Sequence, residues 1–472
     1  MKKIILGTLI TTVVLASTGC KKWLDVSPKT EIRESELLSD EQGFKDALIG
    51  VYTLMGGAST YGTNLSFGVL DAMAQRYNAS ATSHMFYYPS RYDYTAATSK
   101  SYIASIWGGL YTGVSNINNI LTQIDAKQSV FSKNNYHVVK GEALALRALL
   151  HFDVLRLFGV SPAVDANRLS IPYVTRFGVS VYPLLSVNAV IDSCLKDLAD
   201  AELLLSQDKT VRYEYPEDAF LSYTRNHMNY WAVKGLQARI HLYRGDNQKA
   251  LESALSVINN QADNFPFVTL SSVSATINRD RTFSTEHLFA LNVFKLKDLV
   301  EPLTRTAPAS GQPTLIHTTS NINSLYESSS GGSSDIRYVY LFTPFGTSQA
   351  STKYWQDDLN AERLKGNLPV IRLSEMYYIA AEAAPTPEEG VAYLNTIREH
   401  RGLVALPTTI SASSLQTEIL KEYKKEFYAE GQLFYYFKRK NAARIDGSSV
   451  NMSDATYVFP LPENEIEFAN RF

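Results

Sequence analysis

We predict a mainly α fold, in which a tetratricopeptide-like helical repeat scaffold carries irregular, loop-rich inserts and a few short strands. Over residues 373–384 apolar side chains recur at helical spacing, and Pro385 and Pro387 end that helix because proline has no amide hydrogen to donate. A second helix runs from about residue 388 to Gly402, a residue type on which helices commonly end. Two short helices with small alanines at their contact form one unit of a helical repeat.

The same periodicity predicts further helices elsewhere in the chain. Ser39 or Asp40 can cap the first of them, and Gly159 ends the helix that begins near residue 141. The clearest repeat is a pair of alanine-lined helices joined by a turn at Gly245-Asp246. Besides the C-terminal pair, the predicted helices cover residues 40–52, 102–124, 141–159, 187–205, 229–244, 248–258 and 423–439.

Two long segments lack helical periodicity. Residues 56–99 are rich in Gly, Ser, Thr, Asn and aromatic residues, which indicates a long ordered loop, because such aromatic density is not typical of disorder. Residues 263–369 contain two predicted short strands, 265–270 and 287–294, and a flexible Ser/Gly loop at 327–335. Since no linker separates these inserts from the helices, we expect a single body over residues 35–472.

The first residues indicate export. Lys2 and Lys3 precede an apolar stretch too short for a membrane span of ~20 residues, a pattern typical of a secretory signal. The small residues directly before Cys20 resemble a bacterial lipobox, which implies cleavage before Cys20 and acylation of that residue. We therefore expect a lipoprotein signal peptide over residues 1–19 and a lipidated tether over 20–34. The alternative is an ordinary signal peptide with an incidental cysteine.

The composition narrows the function classes. With 45 Lys and Arg against 47 Asp and Glu, the formal net charge is −2, so the chain lacks the basic surplus that nucleic-acid binding requires. The second cysteine, Cys194, shares an apolar helical face with Ile191, Leu195 and Leu198, and we expect it in the core. No disulfide is then possible within a mature chain whose Cys20 carries lipid.

No pattern of catalytic residues is present in the sequence. It contains no Gly-x-Ser-x-Gly, no His-Glu-x-x-His, no phosphate-binding glycine loop and no Cys/His metal spacing. Pairs of carboxylates can hydrolyse glycosides, but the charged residues near the C-terminus lie on packed repeat helices, where ion pairs are the more plausible role. These residues are Arg372, Glu382, Arg398, Glu426 and Glu430. We expect no enzyme, no metal site and no cofactor.

An ordered set of short stretches resembles the SusD/RagB family of outer-membrane lipoproteins. The stretches are residues 20–28, 141–159, 238–246, 335–337, 353–354, 372–402, 426–431 and 460–462. No single one is specific, but the set runs in order from Cys20 to about Asn464. Two features depart from the family pattern: Gln432 stands where a basic residue is common, and two lysines follow Cys20 in place of an acidic cluster.

The resemblance implies a function. A protein of this kind binds oligosaccharide at the cell surface, anchored to the outer membrane by lipid, and delivers it to a SusC-like TonB-dependent transporter without performing chemistry. Some members of the family capture peptides. The alternatives are therefore a peptide-capture subunit, or a helical-repeat scaffold that binds a protein partner and no glycan.

Glycan binding requires aromatic faces for the apolar side of a pyranose ring and polar groups for its hydroxyls. The aromatic segment of the first insert supplies both. The candidates are Asp71, Arg76, Tyr77, Asn78, Tyr87, Tyr88, Tyr92 and Tyr94, together with Trp355 from the second insert. The alternative role for these rings is to pack the loop against the helices. Trp107 and Trp231 lie on apolar helical faces, and we expect them in the core.

Overall fold

The computed structural model describes residues 37–305, 314–357 and 359–469. The predicted signal peptide (1–19), the tether (20–34) and Cys20 lie outside these residues. The helices are α1 Glu41–Met55, α2 Val69–Met73, α3 Ala97–Gln123, α4 Asn135–Phe158, α5 Pro162–Asp165, α6 Val187–Leu205, α7 Tyr230–Arg244, α8 Asn247–Ile258, α9 Gln261–Asn264, α10 Leu270–Ser274, α11 Leu296–Thr304, α12 Thr319–Leu325, α13 Ile336–Tyr340, α14 Leu373–Ala383, α15 Pro387–His400, α16 Ala412–Glu426, α17 Gln432–Arg439, α18 Asp454–Tyr457 and α19 Glu463–Phe468.

The long helices stack in one continuous series, which confirms the predicted repeat scaffold. α1 packs on α3, α3 on α4, α4 on α6, α6 on α7 and α7 on α8. The series then continues directly from α8 to α14, and on to α15 and α16. The second insert therefore leaves the stack after α8 and returns to it at α14, so the repeats form a frame from which both inserts project.

Small residues allow the repeat helices to approach closely. Ala250 and Ala254 of α8 are fully buried, as are Ala380 and Ala381 of α14. At Gly390 of α15, a Cβ atom would lie 2.6 Å from the carbonyl oxygen of Ala381, so a larger residue would force α14 and α15 apart. The predicted role of alanine at these contacts is confirmed, and Gly390 is a further small residue that the sequence did not single out.

The predicted helix ends at two positions are confirmed in atomic detail. The side chain of Asp40 accepts a hydrogen bond from the amide of Gly43 at 2.9 Å and so caps α1. Gly245 ends α7 with φ of 89°, a left-handed conformation that glycine adopts without strain. Asp246 then begins α8 by accepting from the amide of Lys249.

The strands form three small antiparallel sheets. They are β1 Leu169–Ile171, β2 Leu185–Ser186, β3 His287–Asn292, β4 Ile316–Thr318, β5 Phe342–Phe345, β6 Ser348–Ser351 and β7 Asn367–Arg372. β1 pairs with β2, β3 with β7, and β6 lies between β4 and β5. β3 confirms the strand predicted at 287–294, whereas the strand predicted at 265–270 is wrong. There the amide of Val268 donates to a carboxylate oxygen of Glu286, so a side chain takes the place of a neighbouring strand.

The predicted helix over 423–439 is also wrong, because two helices with a break between them occupy this stretch. α16 ends at Glu426 and α17 begins at Gln432. Between them, Ala429 and Gly431 have φ of 67° and 70°, which no right-handed helix contains. The second insert is also more helical than predicted, because it contains α10 to α13. These helices are too short to give a clear period in the sequence.

The interior matches the remaining core predictions. Cys194 is fully buried, and Trp107 and Trp231 are 7% and 6% exposed. One main apolar core joins buried side chains from Leu38 to Phe459. The expectation of a single body over residues 35–472 stays a prediction. In the part of the chain that the structure describes, no helix is both long and apolar enough to cross a membrane.

A buried ionic cluster links the second insert to the C-terminal repeats. Glu426 lies at its centre, where Arg372 and Arg337 donate to its oxygens at 2.6 and 2.8 Å and Arg401 donates at 2.8 and 3.0 Å. The members of the buried ionic cluster are Glu286, Arg337, Arg372, Arg401, Glu422, Glu426 and Glu430. Arg398 pairs with Glu422, and Glu382 pairs with Arg439. The structural role predicted for the C-terminal charges is confirmed.

Candidate functional site

The two inserts meet and form one surface. The amide of Asn78 in the first insert donates to the carbonyl oxygen of Ile316 in β4 at 2.8 Å. The imidazole of His84 lies 3.2 Å from the carbonyl oxygen of Thr314. Deeper in the protein, the ring of Phe67 packs on that of Tyr354 at 5.5 Å. Segments more than 200 residues apart in the chain therefore build the same face.

Asp71 fixes the base of the first insert. Its carboxylate is fully buried and accepts hydrogen bonds from the amides of Ala429 and Gly431 at 2.5 and 2.9 Å. Those amides converge because both residues are in the left-handed conformation. Burial raises the pKa of Asp71 to about 7, although nearby Arg76 and the two amides act in the opposite direction. Asp71 is therefore a link between the insert and the break that separates α16 from α17.

Three more sequence candidates lie in the interior. Arg76, Tyr77 and Tyr92 are 8%, 5% and 6% exposed. Arg76 donates to the carbonyl oxygen of Lys424, and the hydroxyl of Tyr92 donates to that of Met73. Tyr77 packs edge-on against Tyr428, with ring centroids 6.0 Å apart. In this structure these side chains, like Asp71, hold the insert in place.

The accessible candidates lie at the tip of the first insert. Tyr88 is 37% exposed, Tyr87 is half-buried and Asn78 is exposed. The rings of Tyr87 and Tyr88 are nearly perpendicular, at 86°, with centroids 5.0 Å apart. The guanidinium of Arg91 lies 3.8 Å from the centre of the Tyr87 ring and donates to the backbone at Ala79 and Tyr87. We call Asn78, His84, Tyr87, Tyr88 and Arg91 the aromatic platform.

Trp355 lies on the second insert, beside the segment that adjoins the aromatic platform. It is half-buried, and its indole nitrogen donates to the hydroxyl of Thr304 at 3.0 Å. The guanidinium of Arg305 lies 4.7 Å from its ring. The amide of Leu315, next to the residue that contacts His84, donates to the carbonyl of Leu303. A chain of contacts therefore links Trp355 to the aromatic platform.

Tyr94 lies in a different place, in a groove of about 1120 Å³ between the start of α3 and the C-terminal segment. Its hydroxyl donates to the carbonyl oxygen of Thr456, and its ring packs edge-on against Phe459 at 5.4 Å. The walls of the groove are mainly apolar, and the ion pair of Lys100 with Glu463 lies at its edge. The structure therefore divides the sequence candidates into an interior set, an accessible set and one groove residue.

Two histidines that the sequence did not single out belong to the accessible face. His84 is part of the aromatic platform, and His317 lies in β4, 3.0 Å from the side-chain nitrogen of Asn321. Burial lowers the pKa of His84 and lowers that of His317 to about 4. At neutral pH both rings are uncharged. The ring of His84 is fully bonded within the protein, because Nδ1 accepts from the amide of Phe86 and Nε2 donates to the carbonyl oxygen of Thr314. The position of His84 within an aromatic stretch was a signal available in the sequence, whereas His317 has no aromatic neighbour within three residues.

This combination of groups can bind a ligand by stacking and by neutral hydrogen bonds. A tyrosine face packs on the apolar side of a sugar ring, and the exposed side-chain amide of Asn78 can bond to hydroxyls. Among the described residues, no group of three or more His, Cys, Asp or Glu side chains is arranged to hold a metal ion.

Comparison with known proteins decides the family. A family model described as "Starch-binding associating with outer membrane" matches residues 22–242, and one described as "SusD family" matches residues 315–466. The chain belongs to the SusD family. The first match contains the aromatic platform, and the second contains β4 and Trp355. Both parts of the candidate face therefore lie within SusD-family sequence.

Solved SusD-like structures share the fold. A SusD superfamily protein from Bacteroides thetaiotaomicron superposes with a TM-score of 0.70 at 22% identity, covering 91% of this chain and 98% of that one. A SusD-like carbohydrate binding protein from Bacteroides vulgatus gives 0.71 at 18% identity, covering 92% and 97%. A curated SusD-like protein from Formosa agariphila is 20% identical over 288 residues, 60% of this chain. The same alignment covers 50% of the curated relative, so this chain matches about half the length of that protein.

Proposed function

We propose that this protein is a cell-surface lipoprotein that binds oligosaccharide on the aromatic platform and delivers it to a SusC-like TonB-dependent transporter. The family description names starch binding and the outer membrane, which supports both the ligand class and the location. In this proposal Cys20 carries the lipid, and residues 20–34 connect it to the repeat scaffold. Fully extended, those residues span at most about 50 Å, so the body stays close to the membrane and to the transporter.

The observation that carries the proposal is the pair Tyr87 and Tyr88. Most tyrosines of the first insert are packed inside, but these two present aromatic surface at its tip. Arg91 stacks on Tyr87 and donates to two nearby carbonyl oxygens, so the ring is held in one orientation before any ligand arrives. A preordered ring loses little conformational entropy on binding, which favours affinity for a ligand as polar as a sugar.

A neutral side-chain amide beside the rings can bond to a ligand. Asn78 is exposed beside β4, while His84 orders the segment through its bonds to the backbone of Phe86 and Thr314. Neutral donors and acceptors suit sugar hydroxyls. Trp355 completes the proposed site from the second insert, where it adjoins the residues that precede β4.

Affinity electrophoresis on a panel of polysaccharides tests the proposal. The double variant Tyr87→Ala, Tyr88→Ala is compared with the natural protein, and Tyr92 is left intact because it is buried. We expect retardation on at least one glycan and its loss in the double variant. Stacking contributes about 1 kcal/mol per ring beyond burial, so losing two rings should weaken binding by about 30-fold or more.

Tyr213 provides a matched control. It is 38% exposed, close to the 37% of Tyr88, and an arginine, Arg225, lies over its ring at 5.0 Å. Tyr213→Ala should leave retardation unchanged. Retardation that survives in the double variant would move the site to Trp355 or to the groove at Tyr94. No retardation on any glycan, combined with binding of peptides, would replace the carbohydrate proposal with the peptide-capture alternative.

A further inference from the structure

A small polar chamber lies inside the repeat scaffold, where α4, α7, α14 and α17 come together. Its volume is about 40 Å³, and its walls include the polar side chains of Arg156, Arg239, Tyr243, Glu375 and Tyr435. We call it the inter-repeat chamber. It is separate from the aromatic platform, since the two share no residue.

Three buried groups in the walls of the chamber lack hydrogen-bond partners among the described residues. They are Nη1 of Arg239 and the hydroxyls of Tyr243 and Tyr435. The three side chains are 6%, 5% and 4% exposed, so water outside the protein does not reach them freely. A buried polar group without a partner destabilises the fold, and three in one chamber point to an occupant.

The geometry of Arg239 shows what the occupant must do. Nε and Nη2 donate to both oxygens of Glu375 at 2.6 and 2.7 Å, and Nη2 also donates to the carbonyl oxygen of Val370. Only Nη1 is left, and a guanidinium has no acceptor atom. Whatever lies in the chamber therefore accepts a hydrogen bond from Arg239, and the two tyrosine hydroxyls can donate to the same atom.

The charges around the chamber favour a negative occupant. Arg156 pairs with Asp153, and its guanidinium lies 3.6 Å from the centre of the Tyr435 ring. Arg439 and Lys440 both bind the one carboxylate of Glu382. Each guanidinium group of the walls has a carboxylate partner, but the walls themselves hold the three cations Arg156, Arg239 and Arg439 and the one carboxylate of Glu375. The other two carboxylates, of Asp153 and Glu382, lie behind the walls.

We propose that the inter-repeat chamber binds one small monovalent anion, which is chloride in ordinary saline. A halide accepts hydrogen bonds from all three groups at once, and the three guanidinium groups in the walls attract it, whereas a water molecule carries no charge. A chamber of about 40 Å³ has room for one such ion but not for a sugar or an amino acid. The ion would tie α7 of the central repeat to α17.

An adjoining cleft gives the ion a path. A surface cleft of about 340 Å³ shares Leu242, Tyr243 and Arg439 with the walls of the chamber. Lys440 also lines this cleft and is one-third exposed at its side chain, so an anion arriving from solvent meets a cation before it reaches the chamber.

Crystals of the protein in sodium bromide test the proposal directly. Anomalous scattering at the bromine edge should show a peak within about 3.5 Å of Nη1 of Arg239 and of both tyrosine hydroxyls. In solution, thermal unfolding is followed at constant ionic strength while sodium chloride replaces sodium gluconate. We expect chloride to raise the melting temperature by about 1–3 °C, because it binds the folded state alone.

Two variants locate the effect. Tyr243→Phe with Tyr435→Phe removes the two hydroxyls and keeps both rings, so the chloride response should disappear. Tyr378→Phe is the matched control, since it removes a buried and unpartnered hydroxyl that lies outside the chamber, and its chloride response should stay. The proposal fails if the bromide peak is absent and water occupies the chamber. It fails equally if a peak appears at crystal concentrations but the melting temperature ignores chloride, or if the double variant responds like the natural protein.

Discussion

Glu426→Gln removes one negative charge from the centre of the buried ionic cluster and keeps the size of the side chain. Glu426 is fully enclosed in the protein, and its oxygens accept hydrogen bonds from Arg337, Arg372 and Arg401. Burial alone would raise the pKa of Glu426, but Arg401 and Arg372 lower it well below its usual range. The carboxylate is therefore ionised at neutral pH, and the variant removes the one carboxylate that three buried guanidinium groups share. Arg337 keeps Asp335 and Glu422, Arg372 keeps Glu430, and Arg401 keeps Glu286.

The expected cost follows from this geometry. Two unit charges about 4 Å apart attract by about 4 kcal/mol at an effective dielectric constant of 20, and Glu426 has three such partners. Desolvation of all four groups and repulsion among the arginines cancel most of that sum. Removing one partner from a buried ion pair typically costs about 3–5 kcal/mol, which in a chain of this length lowers the melting temperature by about 3–6 °C.

Differential scanning calorimetry or circular dichroism measures this difference, with Glu463→Gln as the control. Glu463 pairs with Lys100 at 2.7 Å, but the two side chains are 74% and 53% exposed. Exposed pairs contribute about 0–1 kcal/mol, so the control should melt within about 2 °C of the natural protein. If Glu426→Gln also melted within 2 °C, the cluster would not be what holds the second insert to the repeats.

Three further predictions concern pH, backbone conformation and the platform. Burial raises the pKa of Glu382, but the adjacent Arg439 and Lys440 outweigh burial and lower the pKa to about 2. Glu382 therefore stabilises the fold by about 3 kcal/mol above pH 4.5, and this contribution is lost as the pH falls towards 2. The gap in melting temperature between the natural protein and Glu382→Gln should therefore narrow between pH 7 and pH 3, and a constant gap would contradict the assignment. Gly431→Ala should lower the free energy of unfolding by about 2 kcal/mol or more, because its Cβ would lie 2.2 Å from a backbone oxygen. The control Gly50→Ala, whose Cβ would have nothing within 4 Å, should be neutral or stabilising. Equal effects of the two changes would contradict the strain argument. Arg91→Ala should reduce glycan affinity several-fold without changing the melting temperature by more than about 2 °C, and unchanged affinity in a titration would show that Arg91 does not orient the platform.

Local pattern was sufficient to predict most of the scaffold. α6 occupies the predicted residues, and α7 and α8 begin within one residue of the predicted starts. Their apolar spacing, their caps and the Gly245 turn are all properties of neighbouring residues. α3 and α4 begin five and six residues before the predicted starts, because their first turns lack a regular apolar face.

The break between α16 and α17 could not be predicted in this way. Residues 423–439 have helix-forming composition, but Ala429 and Gly431 turn their amides towards Asp71, more than 350 residues earlier in the chain. A similar long-range contact removes the expected strand near Val268, whose amide binds the carboxylate of Glu286. In both places a buried carboxylate determines the backbone conformation, and no local pattern reports its position.

The same limit applies to the candidate site. The sequence located the aromatic insert, but Tyr77 and Tyr92 are the same residue type as Tyr87 and Tyr88 and differ only in what surrounds them. Tyr77 meets Tyr428, a ring contributed by the segment between α16 and α17, and is buried; Tyr88 meets only its neighbour and is exposed. Which rings can reach a ligand is decided by the folded repeats beneath them.

The most direct test of the central proposal is a crystal structure of the protein with the oligosaccharide that it retains most strongly. We predict a sugar ring within about 4 Å of Tyr87 or Tyr88, with a hydroxyl bound to Asn78 and the repeat scaffold unchanged. An oligosaccharide seated in the groove beside Tyr94 and Phe459, with the aromatic platform empty, would contradict the proposal.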